Sequence, residues 1–155
     1  MSENLYESLD QYSKRAYDYA VGVTDGIIPG CNWTKLSCQR FIDDLTRDYD
    51  PNYAFEVCDF IEKMPHVKGK WAKEKALLKL EDWQCFLVCV PFGFVYKYDV
   101  YDSDTGDQIG TEGCRRFRSV YIEVPRKNAK STLAAALALY LLSKDGETGA
   151  EVFTA

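Results

Sequence analysis

At 155 residues the chain amounts to one domain, or to one small helical region plus part of a larger one, and its 46% hydrophobic and 14% aromatic content excludes disorder as the default. A net charge of −5 excludes a uniformly basic nucleic-acid sleeve, although the sign varies: the first sixty or so positions are acidic, Lys68, Lys70, Lys73, Lys75 and Lys79 form one basic run, and Arg115, Arg116, Arg118, Arg126, Lys127 and Lys130 form another. Cys31, Cys38, Cys58, Cys85, Cys89 and Cys114 make no Cys-x-x-Cys pair and His66 is the only histidine, so no structural zinc site is expected and the cysteines read as reduced, cytoplasmic thiols.

In chain order, the polar start Met1-Ser2-Glu3-Asn4 does not read as a signal peptide, and no apolar run approaches membrane-spanning length; the expectation is a protein that is not secreted and does not engage a membrane. Leu5, Leu9, Tyr12, Ala16, Tyr19 and Val23 recur at spacings of three and four, which predicts one amphipathic helix ended by Gly22, Gly26, Pro29 and Gly30. A second helix, capped by Asn32 or Thr34, places Cys38, Phe41, Ile42 and Leu45 on one face. Asp50-Pro51 reads as a cap with proline at the first helical position of a third helix, whose buried side is Ala54, Val57, Cys58 and Ile61. Residues 1–65 are thus an N-terminal helical region, followed by a linker over 64–70.

Residues 80–90 are apolar nearly all round, with Glu81 and Asp82 suited to a first turn and Pro91 with Gly93 to close a buried helix. Within it stands Trp83-Gln84. A glutamine amide is donor and acceptor together, so it can pair with the N7 and N6 of adenine; the alternative is a core tryptophan beside a glutamine satisfied by the backbone. Alternation over 94–101 and the turn cluster Asp102-Ser103-Asp104-Thr105-Gly106 predict a β-hairpin over 94–111.

Val120 to Val124 reads as a buried central strand, broken at Pro125 by a basic loop, after which Lys130-Ser131-Thr132 opens a helix. Glu151 to Thr154 starts another strand after the turn 145–149, completing a β-loop-α-β unit. A strand, a basic loop and Lys-Ser at a helix start form the local architecture of a phosphate-binding loop. Lys130 reaches the terminal phosphates as the catalytic lysine, Ser131 ligates Mg²⁺, and Arg126, Lys127, Asn128, Ala129 and Thr132 complete the loop. Val124 and Ala129 stand where the common Gly-x-x-x-x-Gly-Lys-Ser/Thr pattern has glycine, and a plain strand-to-helix turn with a surface basic cluster is the alternative.

Arg116-Phe117-Arg118, the run Val120 to Ala135, Asp145-Gly146-Glu147 and Gly149 to Phe153 together resemble the start of the ATPase domain of the phage terminase large subunit, over about Trp71 to Ala155 and more loosely upstream. That family's loop commonly lacks the first glycine and carries an Arg-Lys-Asn run. Trp83-Gln84 is similar to its adenine-binding Trp-Gln.

The resemblance implies an α/β fold, an incomplete P-loop NTPase-type parallel sheet with flanking helices over 66–155, preceded by the small helical region. It implies ATP and Mg²⁺ as cofactors and an ATPase that drives double-stranded DNA into a capsid. The small terminase subunit and the portal protein are its implied partners, with a homo-oligomer of the full-length protein and assembly in the host cytoplasm. In that family an acidic strand end that holds Mg²⁺ and a separate nuclease domain come later in the chain, so these residues are expected to bind nucleotide far better than they hydrolyse it. The alternative from another class is a non-catalytic interaction module whose acidic helices dock a partner and whose degenerate loop binds no nucleotide.

Overall fold

The fold is that of a computed structural model, which describes residues 3–67, 69–146 and 150–153. The elements in order are α1 (Glu3–Ser8), α2 (Gln11–Thr24), α3 (Asn32–Asp44), α4 (Pro51–Glu62), α5 (Gly69–Lys73), α6 (Asp82–Gly93), β1 (Val100–Tyr101), β2 (Gln108–Gly110) and α7 (Lys130–Ser143). They divide into two units, Met1–Glu56 with Glu81–Val120, and Val57–Leu80 with Tyr121–Ala155. The break expected near residue 65 is therefore not where the contacts separate, because α6 packs on α2 within the first unit. No helix among the described residues is long and apolar enough to cross a membrane.

In the first unit the single helix expected over Leu5 to Val23 is two, α1 and α2. The apolar stripe runs on through the break, but the Asp10 carboxylate accepts the amides of Tyr12 (2.7 Å) and Ser13 (3.3 Å), and this cap restarts the helix. Ala16, Ala20 and Gly22 keep the buried face of α2 narrow, so that α3 and α6 both pack against it. Helix α3 starts one residue earlier than expected, with Cys31 at the cap. Its Phe41 is the hub of an edge-to-face aromatic core, with ring centroids 5.7 Å from Tyr49, 5.5 Å from Phe86 and 6.0 Å from Phe94. The Asp50 carboxylate accepts the Asn52 amide at 2.9 Å, and Pro51 opens α4.

Tyr49 joins these pieces. Its hydroxyl lies 2.6 Å from Ser13 Oγ, which also bonds the Asp10 carboxylate, and burial pushes its phenol well above the ordinary tyrosine range, so it stays neutral. Its ring lies against Gly93, where a Cβ would come within 2.2 Å of it. Around that contact the backbone knits three segments into a short irregular ladder: Asp50 N–H to Gly93 O (2.7 Å), Val95 N–H to Asp48 O (3.0 Å), Tyr96 N–H to Cys114 O (3.0 Å) and Arg116 N–H to Phe94 O (2.9 Å).

The hairpin expected over 94–111 is consequently shorter than the alternation implied. Residues 94–96 pair with 48–50 and 113–116, and only β1 and β2 form a hairpin, antiparallel, with Val100 opposite Gly110 and a register shift before Tyr101 opposite Gln108. Asp102 Oδ1 closes its turn by accepting the amides of Asp104 and Thr105, both at 2.8 Å, and these bonds hold the Asp102 carboxyl below its usual range. Cysteines 38, 85 and 89 are buried and Cys31 and Cys114 are exposed. Burial raises the Cys38 thiol to about 11, whereas hydrogen bonds from Thr34 lower that of Cys31.

In the second unit the stretch expected to be a linker is a pinned loop. His66 N–H donates to Ala76 O (2.9 Å), Leu78 N–H to Met64 O (2.7 Å), and Glu62 Oε1 accepts the Leu80 amide (2.9 Å), with α5 at the tip. Helix α7 buries Leu133, Ala136 and Tyr140, one stripe rather than nearly every side, and Tyr140 meets Phe60 edge to face at 5.4 Å.

The parallel sheet is not seen: the only sheet among the described residues is the β1–β2 pair. Residues 120–124 and 151–153 take no strand, and Val120 (53% exposed), Tyr121 (88%) and Phe153 (86%) face solvent where a strand covered on both sides was expected. Apolar sequence alone does not make a strand; it needs a neighbour to satisfy its N–H and C=O groups, and neither segment has one among the described residues. Residues 147–149 of the expected turn and Thr154 of the last strand lie outside the described residues.

The Tyr49–Gly93 approach makes a testable claim. Gly93→Ala forces a ring held by Phe41, Phe94 and Ser13 out of place, and overpacking of this kind costs about 1–3 kcal/mol. The chemical-denaturation midpoint should fall accordingly with the m-value preserved; an unchanged midpoint would show that Tyr49 yields freely.

Candidate nucleotide-binding site

The loop before α7 is built from alternating backbone handedness. Lys127 has φ 72° and Ala129, the cap residue, has φ 53° and ψ 21°, both left-handed, while Asn128 between them does not. Such alternation turns successive N–H groups toward one side, the concavity by which phosphate-binding loops hold anions. Asn128 Nδ2 donates to Pro125 O at 3.2 Å across the turn, and the first helical bond runs from Leu133 N–H to Ala129 O at 2.9 Å. The amides of Lys130, Ser131 and Thr132 are therefore those that a helix start does not satisfy internally, and the helix dipole adds partial positive charge there.

Every predicted loop residue from Arg126 through Thr132 is exposed. Arg126, Lys127 and Lys130 bring three cations into five residues, and the Glu123 carboxylate just upstream accepts the Tyr121 hydroxyl at 3.3 Å. The loop can thus offer a polyanion backbone amides, fixed charges and the Ser131 and Thr132 hydroxyls. Among the described residues no three His, Cys, Asp or Glu side chains converge on a metal position, so Mg²⁺ at Ser131 would rest on one hydroxyl, the phosphates and water, a set that suits a cation retaining much of its hydration.

Trp83 and Gln84 lie in the first turn of α6, in the other unit from the loop. Trp83 is half-buried. Gln84 is buried, and its Oε1 accepts the Glu81 N–H at 2.9 Å, capping the helix. The amide thus has the backbone partner that the alternative reading gave it, and an adenine edge would have to share Oε1 with Glu81. Beside it, Arg15 Nε donates to Asp82 Oδ1 at 2.7 Å, fixing the helix start against α2.

One charged cluster was missed by sequence reasoning: Asp44 with Arg40, Arg47 and Arg116 around it. The i, i+4 and i, i+3 spacings of the first three were visible, but nothing local connects Arg116 to them. Comparison with protein-family models, with curated proteins and with solved structures finds no match.

Two substitutions test this geometry. A left-handed alanine costs about 1 kcal/mol relative to glycine, so Ala129→Gly should raise the melting temperature despite the added freedom of its unfolded chain; a lower melting temperature would mean the loop does not hold this φ. Gln84→Ala should lower stability by about 1 kcal/mol through the lost cap, and ATP and GTP affinities measured alongside decide whether the amide also reads a base, which requires a larger loss for ATP.

Proposed function

We propose that this chain is the N-terminal part of a phage terminase large subunit and that the loop Arg126–Thr132 binds the phosphates of Mg²⁺-ATP, with Lys130 on the terminal phosphates and Ser131 on the metal. The observation that carries the reading is the left-handed pair Lys127 and Ala129 running straight into Lys130 at the first position of α7. Neither residue is glycine, so the backbone holds a costly shape at two positions next to the residues expected to bind, and strain of this kind gathers at ligand sites.

In this reading residues 120–124 and 151–153 belong to a P-loop-type parallel sheet completed by further strands. The exposed Tyr121, Leu139, Leu142, Val152 and Phe153 support it, being an apolar set in the second unit that sheet neighbours would cover. The adenine-binding role of Trp83 and Gln84 belongs to the proposal through the resemblance alone. ATP hydrolysis driving double-stranded DNA, the small terminase subunit, the portal protein, assembly of the full-length protein into a homo-oligomer and location in the host cytoplasm belong to the same proposal and rest on the resemblance.

A second reading has its own support. Ile27 (79% exposed), Trp33 (81%) and Leu36 (61%) present large apolar side chains on and just before α3, as a non-catalytic interaction module would. Nucleotide titration separates the two. Saturable Mg²⁺-ATP binding that Lys130→Ala weakens by tenfold or more, with an unchanged circular dichroism spectrum, is the expected result, since the substitution removes one exposed charge and no core volume. Equal affinity in the variant, or no binding at millimolar ATP, overturns the nucleotide reading.

A further inference from the structure

Asp44 is the last residue of α3, and its side chain is 10% exposed. Arg116 Nη2 lies 2.8 Å from Oδ2 and is itself 21% exposed, a short and largely desolvated ion pair. Two more guanidiniums converge on the same carboxylate at longer range, Arg40 Nε at 3.8 Å from Oδ2 and Arg47 Nη1 at 3.5 Å from Oδ1, and they are 59% and 68% exposed. Exposed pairs at such distances contribute little, and one carboxylate balances one cation. Two positive charges are therefore in surplus, and no other carboxylate among the described residues lies within ion-pair distance of Arg40 or Arg47.

Aromatic surroundings hold Arg40 without neutralising it. The Arg40 guanidinium lies over the Phe117 ring at 4.8 Å, and that of Arg116 lies over Phe117 at 5.4 Å and Phe94 at 5.6 Å, so aromatic faces set the guanidinium planes. Lys97 Nζ donates to the Arg47 carbonyl at 2.9 Å, which brings a further cation to the rim. The nearby Asp43 carboxylate accepts Gln39 Nε2 at 2.9 Å.

We propose that Arg40, held over the Phe117 ring, and Arg47, beside it at Asp44, form a binding site for a small multiply charged oxyanion, a phosphate or pyrophosphate group, on the first unit. Guanidinium forks suit phosphate because they donate two parallel hydrogen bonds, and a multiply charged anion offsets the surplus that Asp44 leaves. The group can come from free pyrophosphate or from the polyphosphate of a nucleotide. This site is independent of the phosphate loop, which lies in the other unit and is not required for it.

The test is calorimetric titration of pyrophosphate into the full chain carrying Lys130→Ala, which removes the loop lysine. Saturable binding is expected, weakened about tenfold or more when Arg40→Gln and Arg47→Gln are added. With Arg40→Lys and Arg47→Lys, which keep the charge and lose the fork, the loss should be intermediate. Arginine side-chain Nε–Hε correlations of Arg40 should shift on titration, which a purely structural role would not produce. Absence of binding in the Lys130→Ala chain, binding unchanged by the glutamine pair, or a lysine pair as effective as the arginines each overturns the proposal. A parallel ATP titration identifies the source: tighter binding than pyrophosphate points to a nucleotide, equal binding to the free anion. Because these measurements use the lysine variant, loss of ATP binding at the loop neither supports nor sinks them.

Discussion

The first unit depends on where Tyr49 sits. Its ring must reach Gly93 closely enough that no side chain fits between them, while its hydroxyl reaches Ser13 beneath the Asp10 cap. The first contact brings the end of α6 beside the loop that opens α4, and the ladder bonds from Asp50 and Val95 form around it. The second ties the start of α2 to the same ring. Phe41 and Phe94 fill the remaining faces, so one residue links a helix cap, an aromatic core and a backbone ladder. A buried phenol hydroxyl without a partner would cost about 1–3 kcal/mol, which is why Ser13, fully buried, belongs to the core as much as the aromatic rings do.

What could be read from the sequence depended on how local its cause is. Asp50-Pro51 and Lys130-Ser131-Thr132 mark helix starts by their own chemistry, and α4 and α7 begin there. Asp10 acts as locally, yet it interrupts a stripe whose apolar spacing continues on both sides, and periodicity favoured the longer helix. Strands are decided elsewhere. Residues 94–96 alternate as a hairpin strand would, but their partners are 48–50 and 113–116, which no spacing announces. For 120–124 the apolar composition records that the segment is suited to cover, not that a neighbour is present to pair with it.

The candidate site was legible in its residue types and opaque in its backbone. Lysine, serine and threonine at a helix start indicate what the loop can donate. Ala129 stands at a glycine position of the common pattern, so its left-handed conformation had a hint in the sequence, whereas that of Lys127 has none, because the residue that normally announces it is glycine. Gln84 shows the reverse case: its amide has the chemistry to read a base, and the helix start it occupies claims the acceptor first. The arginines around Asp44 were hidden for a third reason, since Arg116 arrives from the far side of the ladder and only the folded chain shows three guanidiniums on one carboxylate.

The partition of the cysteines has a practical side. Cys38, Cys58, Cys85 and Cys89 are buried, whereas Cys31 and Cys114 are open to solvent. Both exposed thiols belong to the first unit. Cys31 caps α3 two residues before the exposed Trp33, and Cys114 immediately precedes Arg115 and Arg116 on the ladder. Hydrogen bonds from Thr34 favour the Cys31 thiolate. The native chain thus supplies two exposed attachment points, one beside the apolar face of α3 and one beside the arginine cluster, so either surface can carry a fluorophore or spin label with no residue replaced.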